Sequence, residues 1–410
     1  MAAGGDGTVQ DPINREPEPE KLVQSFLTPS RTHDTGQPQA YDRNHGPIQH
    51  IDPATHRVTV KSDAAIHHSS VVPKPLNLVV SVHDLRTQFA QHTVICALQC
   101  AGNRRREMRS RLKEVSGIDW GDGAVMNAEW TGPLLRDVLL RAGIVEQSDV
   151  SGDDYEGLHV QMECNATKVQ EDDWYGGSIP LAVAMDPERE VVLALKMNGK
   201  PLPDRHGGPV RAVTPGIVGA RSVKWLDTIV VSPRESSNHY QLHDYKVLPP
   251  EATSPEKAEE LGLWKEGVIP SMLDNDINSV VAVPGSDGAE IRRDADGRVR
   301  IAGYAIPKGK DGPVVKVQVS IDRGRTWHDA AILDDGDENT THPANKGKSR
   351  GKFSWVLWEV FIKCDPAEDV SIWSKATDKG GNTQSEVEGS WNLRGVGYNA
   401  VEGRRGIKIV

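Results

Sequence analysis

At 410 residues, with 37% hydrophobic and 26% charged residues, the chain is long enough for two cores and reads as a soluble globular protein. A net charge of −10 argues against general affinity for nucleic acid, whose binders carry a basic surplus. No apolar run approaches the roughly 18 residues of a membrane helix, and Cys96, Cys100, Cys164 and Cys364 are too scattered for a disulfide framework.

Residues 1–35, rich in Gly, Pro, Asp, Glu and Gln, predict a flexible extended arm. A globular pattern begins at "AYDRNHGPIQHI". "LVVSVHDLR" (78–86) predicts a short strand running into a helix that starts at Asp84, and "HTVICALQC" predicts a strand ending at Cys100. In "TGPLLRDVLLRAG", Leu134, Leu135, Val138 and Leu139 recur at helical spacing up to Gly143. "SIPLAVAMD" predicts a helix behind Ser178, and "EVVLALKMNGKPLP" a strand entering an Asn198-Gly199 turn.

The Pro- and Glu-rich "LPPEATSPEKAEELG" predicts a connector, after which the texture changes. Val315, Val317, Val319 and Ile321 alternate before a turn at Arg323-Gly324. "KFSWVLWEVFI" and "VSIWSKATDKGGNTQ" repeat the strand-turn pattern, and "DGDENTTHPANKGKSRG" reads as a polar loop. The expected fold class is α+β, a mixed α/β domain followed by an immunoglobulin-like β-sandwich. The expected divisions are an arm at 1–35, a first domain at 36–253, a linker at 254–268 and the sandwich at 269–410.

"ALQCAGNRRREM" (97–108) places Cys100 before a Gly-Asn step and then Arg104, Arg105 and Arg106. A cysteine at a strand end entering a turn suits a ligand or nucleophile presented on a loop. It equally suits a small buried hydrophobe, and three arginines equally suit a solvated helix face. Cys96-x3-Cys100 without a second pair is a poor zinc signature.

"LQCAGNRR" resembles the molybdenum-ligand loop of the sulfite oxidase family, which also includes the molybdenum domain of eukaryotic nitrate reductase. "RNH" at Arg43, Asn44 and His45, "AEWTGPLLRDVL", "MNGKPLPDRHGGPVR" and "TPGIVGARSVKWL" resemble further family segments. "VSIDRGRTW" and "WNLRGV" resemble its dimerisation domain. The likeness spans roughly residues 40 to 400, in family order.

The resemblance implies a molybdenum–molybdopterin cofactor with Cys100 as the metal ligand, soft sulfur being suited to molybdenum. It assigns cofactor contacts to Tyr41, Asp42, Arg43, Asn44, His45, His206, Arg211, Ser222, Val223 and Lys224. It maps an oxyanion pocket onto Arg43, Arg105, Trp120, Tyr245 and Arg394. In the nitrate reductase branch the last two positions resemble Asn and Met, so Tyr245 and Arg394 point to sulfite oxidised to sulfate by oxygen-atom transfer. Arg104 and Arg106 keep the reading of ordinary charge.

Two departures from the family pattern stand out. Asp204-Arg205-His206 swaps the family's Arg-Asp order, and the family's pterin-contacting acidic residue has no aligned aspartate, leaving Asn165 or Thr167 as substitutes. No haem motif appears, so electrons are expected to leave to dioxygen or a separate cytochrome. The expected partners are sulfite, an external acceptor and a second copy of the chain, with no nucleic acid and no membrane. Location is expected to be cytoplasmic, with peroxisome and mitochondrion as alternatives. The competing readings are a molybdopterin enzyme for another oxyanion or S-oxide and a noncatalytic scaffold on a degenerate molybdenum domain.

Overall fold

The computed structural model describes residues 12–29, 39–265, 267–333, 351–385, 387 and 390–410. Its first unit is a mixed five-stranded sheet in the order Asn77–Ser81, Arg57–Ser62, Thr228–Ser232, His159–Cys164, Tyr175–Pro180. Arg57–Ser62 runs parallel to Thr228–Ser232, and the other pairs are antiparallel. Val58, Val60, Val160, Met162, Ile229 and Val231 point inward with the two-residue period of strands and carry the core.

A second, antiparallel sheet joins His92–Gln99, Val125–Gly132, Lys196–Met197 and Lys200–Pro201. Its last two strands meet at Asn198 and Gly199, whose φ angles of 51° and 74° give the expected hairpin turn. Ser81 caps a helix at Val82–Thr87 in a capping box with Asp84, so the helix begins two residues before the expected Asp84. Ser178 does not start a helix. It lies inside the strand Tyr175–Pro180, and the helix Leu181–Met185 begins behind Pro180, which pre-sets the turn out of the strand.

The C-terminal unit is a β-sandwich. One sheet runs Asn278–Val283, Arg298–Ile306, Val356–Lys363, Ala331–Leu333; the other runs Glu290–Ile291, Glu402–Ile409, Ala367–Asp378, Val314–Ser320, His328–Asp329. Val299, Ile301, Val317, Val319, Trp358, Ile372 and Ile407 fill the space between them. Val315 departs from the expected alternation. A register shift between Val314 and Lys316 turns it outward, 53% exposed, and buries Val314 instead. Residues 335–350 of the expected polar loop lie outside the described residues.

Two connecting segments are packed rather than free. Of the expected flexible arm, residues 1–11 and 30–35 lie outside the described residues, but residues 12–29 strap across both units. Leu22, Phe26 and Leu27 bury against Val125, Tyr304 and Trp355, and Trp355 Nε1 donates to Phe26 O at 2.8 Å. The expected linker at 254–268 holds a capped helix, Pro255–Glu260 behind Ser254. Its Ala258 and Leu263 join Met108, Val115, Trp391 and Leu393 in one cluster, so apolar burial fixes it.

Candidate active site

The strand His92–Gln99 delivers Cys100 to the point where the two units meet. Cys100 N–H donates to Ala124 O at 2.9 Å, and its carbonyl accepts from Asn103 N–H at 2.9 Å, closing the turn. Asn103 locks that turn: its Oδ1 accepts from Ala124 N–H at 3.0 Å, and its Nδ2 donates to Tyr304 Oη at 3.1 Å. Arg104 then takes the left-handed conformation, φ 65°, and the helix Arg105–Arg111 follows.

This geometry sends the three arginines to three places. Arg105 faces an open basin. Arg106 is half exposed and pairs with Asp119 at 3.0 Å. Arg104, expected to be ordinary charge, is 2% exposed and bonds Asn278 Oδ1 at 2.7 Å and Glu402 Oε1 at 3.3 Å in the sandwich. It is an interdomain staple, because the left-handed turn aims it away from its neighbours. Arg106 keeps the surface reading.

Cys100 sits between two cavities. An outer basin of about 410 Å³ is lined by all five expected oxyanion residues, Arg43, Arg105, Trp120, Tyr245 and Arg394. An inner cleft is lined by Tyr41, Arg43, Asn44, His45, Arg211, Ser222 and Lys224. Cys100, Arg43, His45 and Tyr245 border both. Three of the expected cofactor contacts do not reach the cleft wall: Asp42, His206 and Val223 are wholly buried behind it. Val223 belongs to the apolar core. Asp42 receives the Arg205 guanidinium, while Asp204 accepts from the exposed His50 at 2.6 Å. The swapped Asp-Arg pair thus has a partner for each member. Thr167 lines the cleft, whereas Asn165 turns away to bond Asp227.

The basin is held open by backbone that side chains would block. A Cβ on Gly102, Gly117 or Gly395 would come within 2.6–2.7 Å of Arg105 side-chain atoms, so a side chain at any of the three would displace Arg105 from this position. Arg105 Nε donates to the carbonyls of Arg394 and Gly395 at 3.2 Å, and Nη1 to Ile118 O at 2.7 Å. Burial, then the nearby Arg394 and Arg43, lowers its pKa from the ordinary arginine value. Arg394 pairs with Asp244. Burial works against charge on Asp244, but the His239 bond and the Arg394 and Arg43 cations hold its carboxyl below the usual range.

A directed hydrogen-bond chain crosses between the cavities. Arg43 Nη2 lies 3.1 Å from His45 Nδ1, and His45 Nε2 lies 3.0 Å from Tyr245 Oη. A guanidinium only donates, so Nδ1 must accept and Nε2 must carry the hydrogen. Tyr245 Oη therefore accepts from His45, which leaves its own proton for another acceptor. Burial and then Arg43 push the His45 pKa well below its ordinary value, and burial pushes Tyr245 well above its own. Both rings are neutral donors at pH 7.

Sequence reasoning missed Tyr240, His239, Asp244 and Glu171 in the basin and Tyr175 and Trp225 in the cleft. The His239-to-Asp244 spacing in "HYQLHDY" was the one available signal. Tyr240 packs on His45 with centroids 3.7 Å apart, a contact no spacing announces.

A thiol between a cationic cleft and an arginine basin, on a mixed α/β unit backed by a sandwich, defines an oxidoreductase of the molybdopterin type. Residues 45–240 match the family model described as oxidoreductase molybdopterin binding domain, and residues 270–401 match the Mo-co oxidoreductase dimerisation domain. The mitochondrial sulfite oxidase of Mus musculus is 39% identical over 394 residues, 95% of this chain and 63% of that protein. The chain therefore spans under two thirds of that relative's length. The sulfite oxidase of Arabidopsis thaliana is 33% identical over 393 residues, 94% of this chain and 90% of its own length. The chain belongs to the sulfite oxidase family. The crystal structure of the sulfane dehydrogenase SoxCD from Paracoccus pantotrophus shares the fold, with a TM-score of 0.68 at 22% identity, over 98% of this chain and 92% of that one.

Proposed function

We propose that the chain oxidises sulfite to sulfate, with the oxyanion held in the outer basin and molybdopterin in the inner cleft. The observation that carries this reading is the convergence of Arg43, Arg105 and Arg394 on one basin bordered by Cys100. Three guanidinium groups facing the carboxylates of Asp244 and Glu171 leave a positive surplus suited to a doubly charged oxyanion. Tyr245 and Arg394 favour sulfite over nitrate.

The cleft fits the cofactor on the chemistry of its donors. Arg211 is buried and Lys224 partly buried at its wall, and Lys224 donates to Asn44 Oδ1 and Arg205 O, each at 2.8 Å. Burial, then Arg211, brings the Lys224 pKa down to about 7. A phosphate there would supply the anion this ammonium lacks. Both ring nitrogens of His206, just behind, are buried without a hydrogen-bond partner among the described residues. Under this reading Arg211, Lys224 and Thr167 hold the pterin and its phosphate, and the Cys100 thiolate holds the metal.

When bound, the cofactor would supply the two-electron redox chemistry and the oxygen atom that sulfite gains. Arg105, fixed by three carbonyls, and Arg394, fixed by Asp244, orient the anion and offset its charge. Tyr245, its proton freed by His45, donates to the anion. Trp120 walls the basin and limits water.

The remaining parts of the reading are a homodimer, supported by the dimerisation-domain match, and dioxygen or a separate cytochrome as acceptor. No helix of the described residues is long and apolar enough to cross a membrane, and the reading keeps the chain cytoplasmic. The deciding experiment measures molybdenum content and then follows the thiolate-to-metal absorption. Sulfite should bleach it, and air or an added cytochrome should restore it. Colour that responds to nitrate-linked turnover and not to sulfite would overturn the assignment.

A further inference from the structure

Residues 13–16, read from sequence as part of a free arm, lie directly along the stretch that carries Arg43. Arg15 and Asp42 exchange main-chain hydrogen bonds in both directions, at 2.9 and 2.8 Å. Ile13 O accepts from Asn44 Nδ2 at 2.9 Å. Asn14 Oδ1 accepts from two donors at once, Asn44 N–H at 3.1 Å and Arg43 Nη1 at 3.2 Å. The other described bonds of the Arg43 side chain go to Asn44 O at 2.6 Å and His45 Nδ1 at 3.1 Å. Those two acceptors move with the Arg43 backbone. Asn14 is the contact from outside the stretch, and it ties the guanidinium to a separate part of the chain.

The same strap also reaches the segment that carries Trp120, another lining residue of the basin. Both Glu16 carboxylate oxygens are used, one accepting from Gly121 N–H at 2.8 Å and the other from Gly123 N–H at 3.0 Å, just after Trp120. Farther along, Glu20 Oε1 accepts from Gly285 N–H in the C-terminal unit at 2.9 Å, remote from the basin. Leu22, Phe26 and Leu27 anchor the strap in the interface.

We propose that Asn14 is a positioning residue for oxyanion binding, acting through Arg43, and that the strap is part of the site rather than an appendage. The proposal rests on the sulfite reading. A guanidinium on a flexible stem must be ordered when it grips an anion. An acceptor that orders it beforehand spares the substrate that cost, so Asn14 should act on affinity far more than on the limiting rate. Its amide oxygen is the working atom.

The test compares Asn14→Leu, close in volume but without an acceptor, with Asn14→Gln, which keeps a neutral amide acceptor, and with Glu20→Ala, which loosens the strap away from the basin. Each loaded enzyme is assayed for KM and kcat with sulfite, for inhibition by sulfate, and for melting. Asn14→Leu should raise the sulfite KM and the sulfate inhibition constant together by about fivefold, the effect of one hydrogen bond, with kcat within about twofold. Asn14→Gln should stay within about twofold of the parent, and Glu20→Ala should melt earlier with an unchanged KM. Parental KM and sulfate inhibition in Asn14→Leu would overturn the proposal, as would an equal KM rise in Glu20→Ala. If the parent itself is not reduced by sulfite, the sulfite reading fails separately. Calorimetric sulfate binding to parent and Asn14→Leu then still reports the fivefold loss or its absence. Should Asn14→Leu not fold, Asn14→Ser, whose shorter hydroxyl withdraws the acceptor, carries the same expected shift.

Discussion

Replacing Arg105 by Gln is the sharpest perturbation of the proposed oxyanion basin. The wild-type guanidinium is clamped by carbonyls of Ile118, Arg394 and Gly395, and it packs against three glycines. Glutamine carries no charge, offers two donors and cannot reproduce the fork. The loss of one charge-assisted bond to the anion costs about 2 kcal/mol, or roughly a 30-fold weaker grip at about 1.4 kcal/mol per tenfold. Arg43 and Arg394 remain, so binding should weaken without vanishing. Stopped-flow reduction at varied sulfite should show the half-saturating concentration up about 30-fold and the limiting rate changed less. Sulfate, also an oxyanion, should inhibit less by a similar factor. Carbonyls left without a donor should also lower the melting temperature. A lower melting temperature with unchanged sulfite and sulfate affinities would refute the reasoning, because it would confine Arg105 to holding the turn.

Cys100→Ser should abolish the thiolate-to-metal absorption and sulfite turnover while the circular dichroism spectrum stays that of the parent, since the change is nearly isosteric. Arg104→Leu should destabilise by about 3 kcal/mol in denaturant melts, the low end for breaking a buried ion pair, because Glu402 keeps Arg111 at 3.1 Å and Asp122 keeps Arg404 at 2.7 Å. The bond to Asp244 raises the His239 pKa above its ordinary value, so His239 is charged on the acid side and neutral on the alkaline side. Its stabilising effect is full below the unfolded histidine range and fades as pH rises through the folded pKa. The added cation at the basin should favour the anion at low pH. The sulfite KM should therefore rise with pH, and His239→Asn should flatten that rise in a pH-resolved KM series.

Regular elements were legible where burial enforces a period. The apolar run into Cys100 is a strand buried on both faces, Val94, Cys96 and Leu98 packing into one cluster and Ile95 and Ala97 into another, and Gly143 ends the helix Leu135–Ala142 at φ 112° as the sequence implied. The proposed oxyanion residues were legible only through resemblance: nothing in spacing brings Tyr245 and Arg394 to Arg43. The three arginines look equivalent in sequence, yet a left-handed residue followed by a helix start turns consecutive side chains in different directions. Residues 12–29 looked like a tail because they contain few apolar residues. They pack because Tyr304 and Trp355 supply the apolar surface, and because Asn14 and Glu16 meet main-chain donors that periodicity does not reveal.

Under the sulfite reading, anion affinity and interdomain docking depend on the same few residues. Ser116 N–H donates to Leu393 O at 2.7 Å, Gly397 N–H to Ala101 O at 2.8 Å, and Arg105 Nε to the carbonyls of Arg394 and Gly395. These bonds lock the turn that presents Cys100 to the segment that presents Arg394. The staple made by Arg104 lies immediately beside them. Loosening the sandwich would move Arg394 away from Arg43 while leaving Cys100 on its own strand. Weak undocking should therefore cost anion affinity before it costs cofactor retention, so a mild variant such as Arg104→Lys should raise the sulfite KM at unchanged molybdenum content. Loss of molybdenum first would mean that the inner cleft, and not the basin, depends on the sandwich.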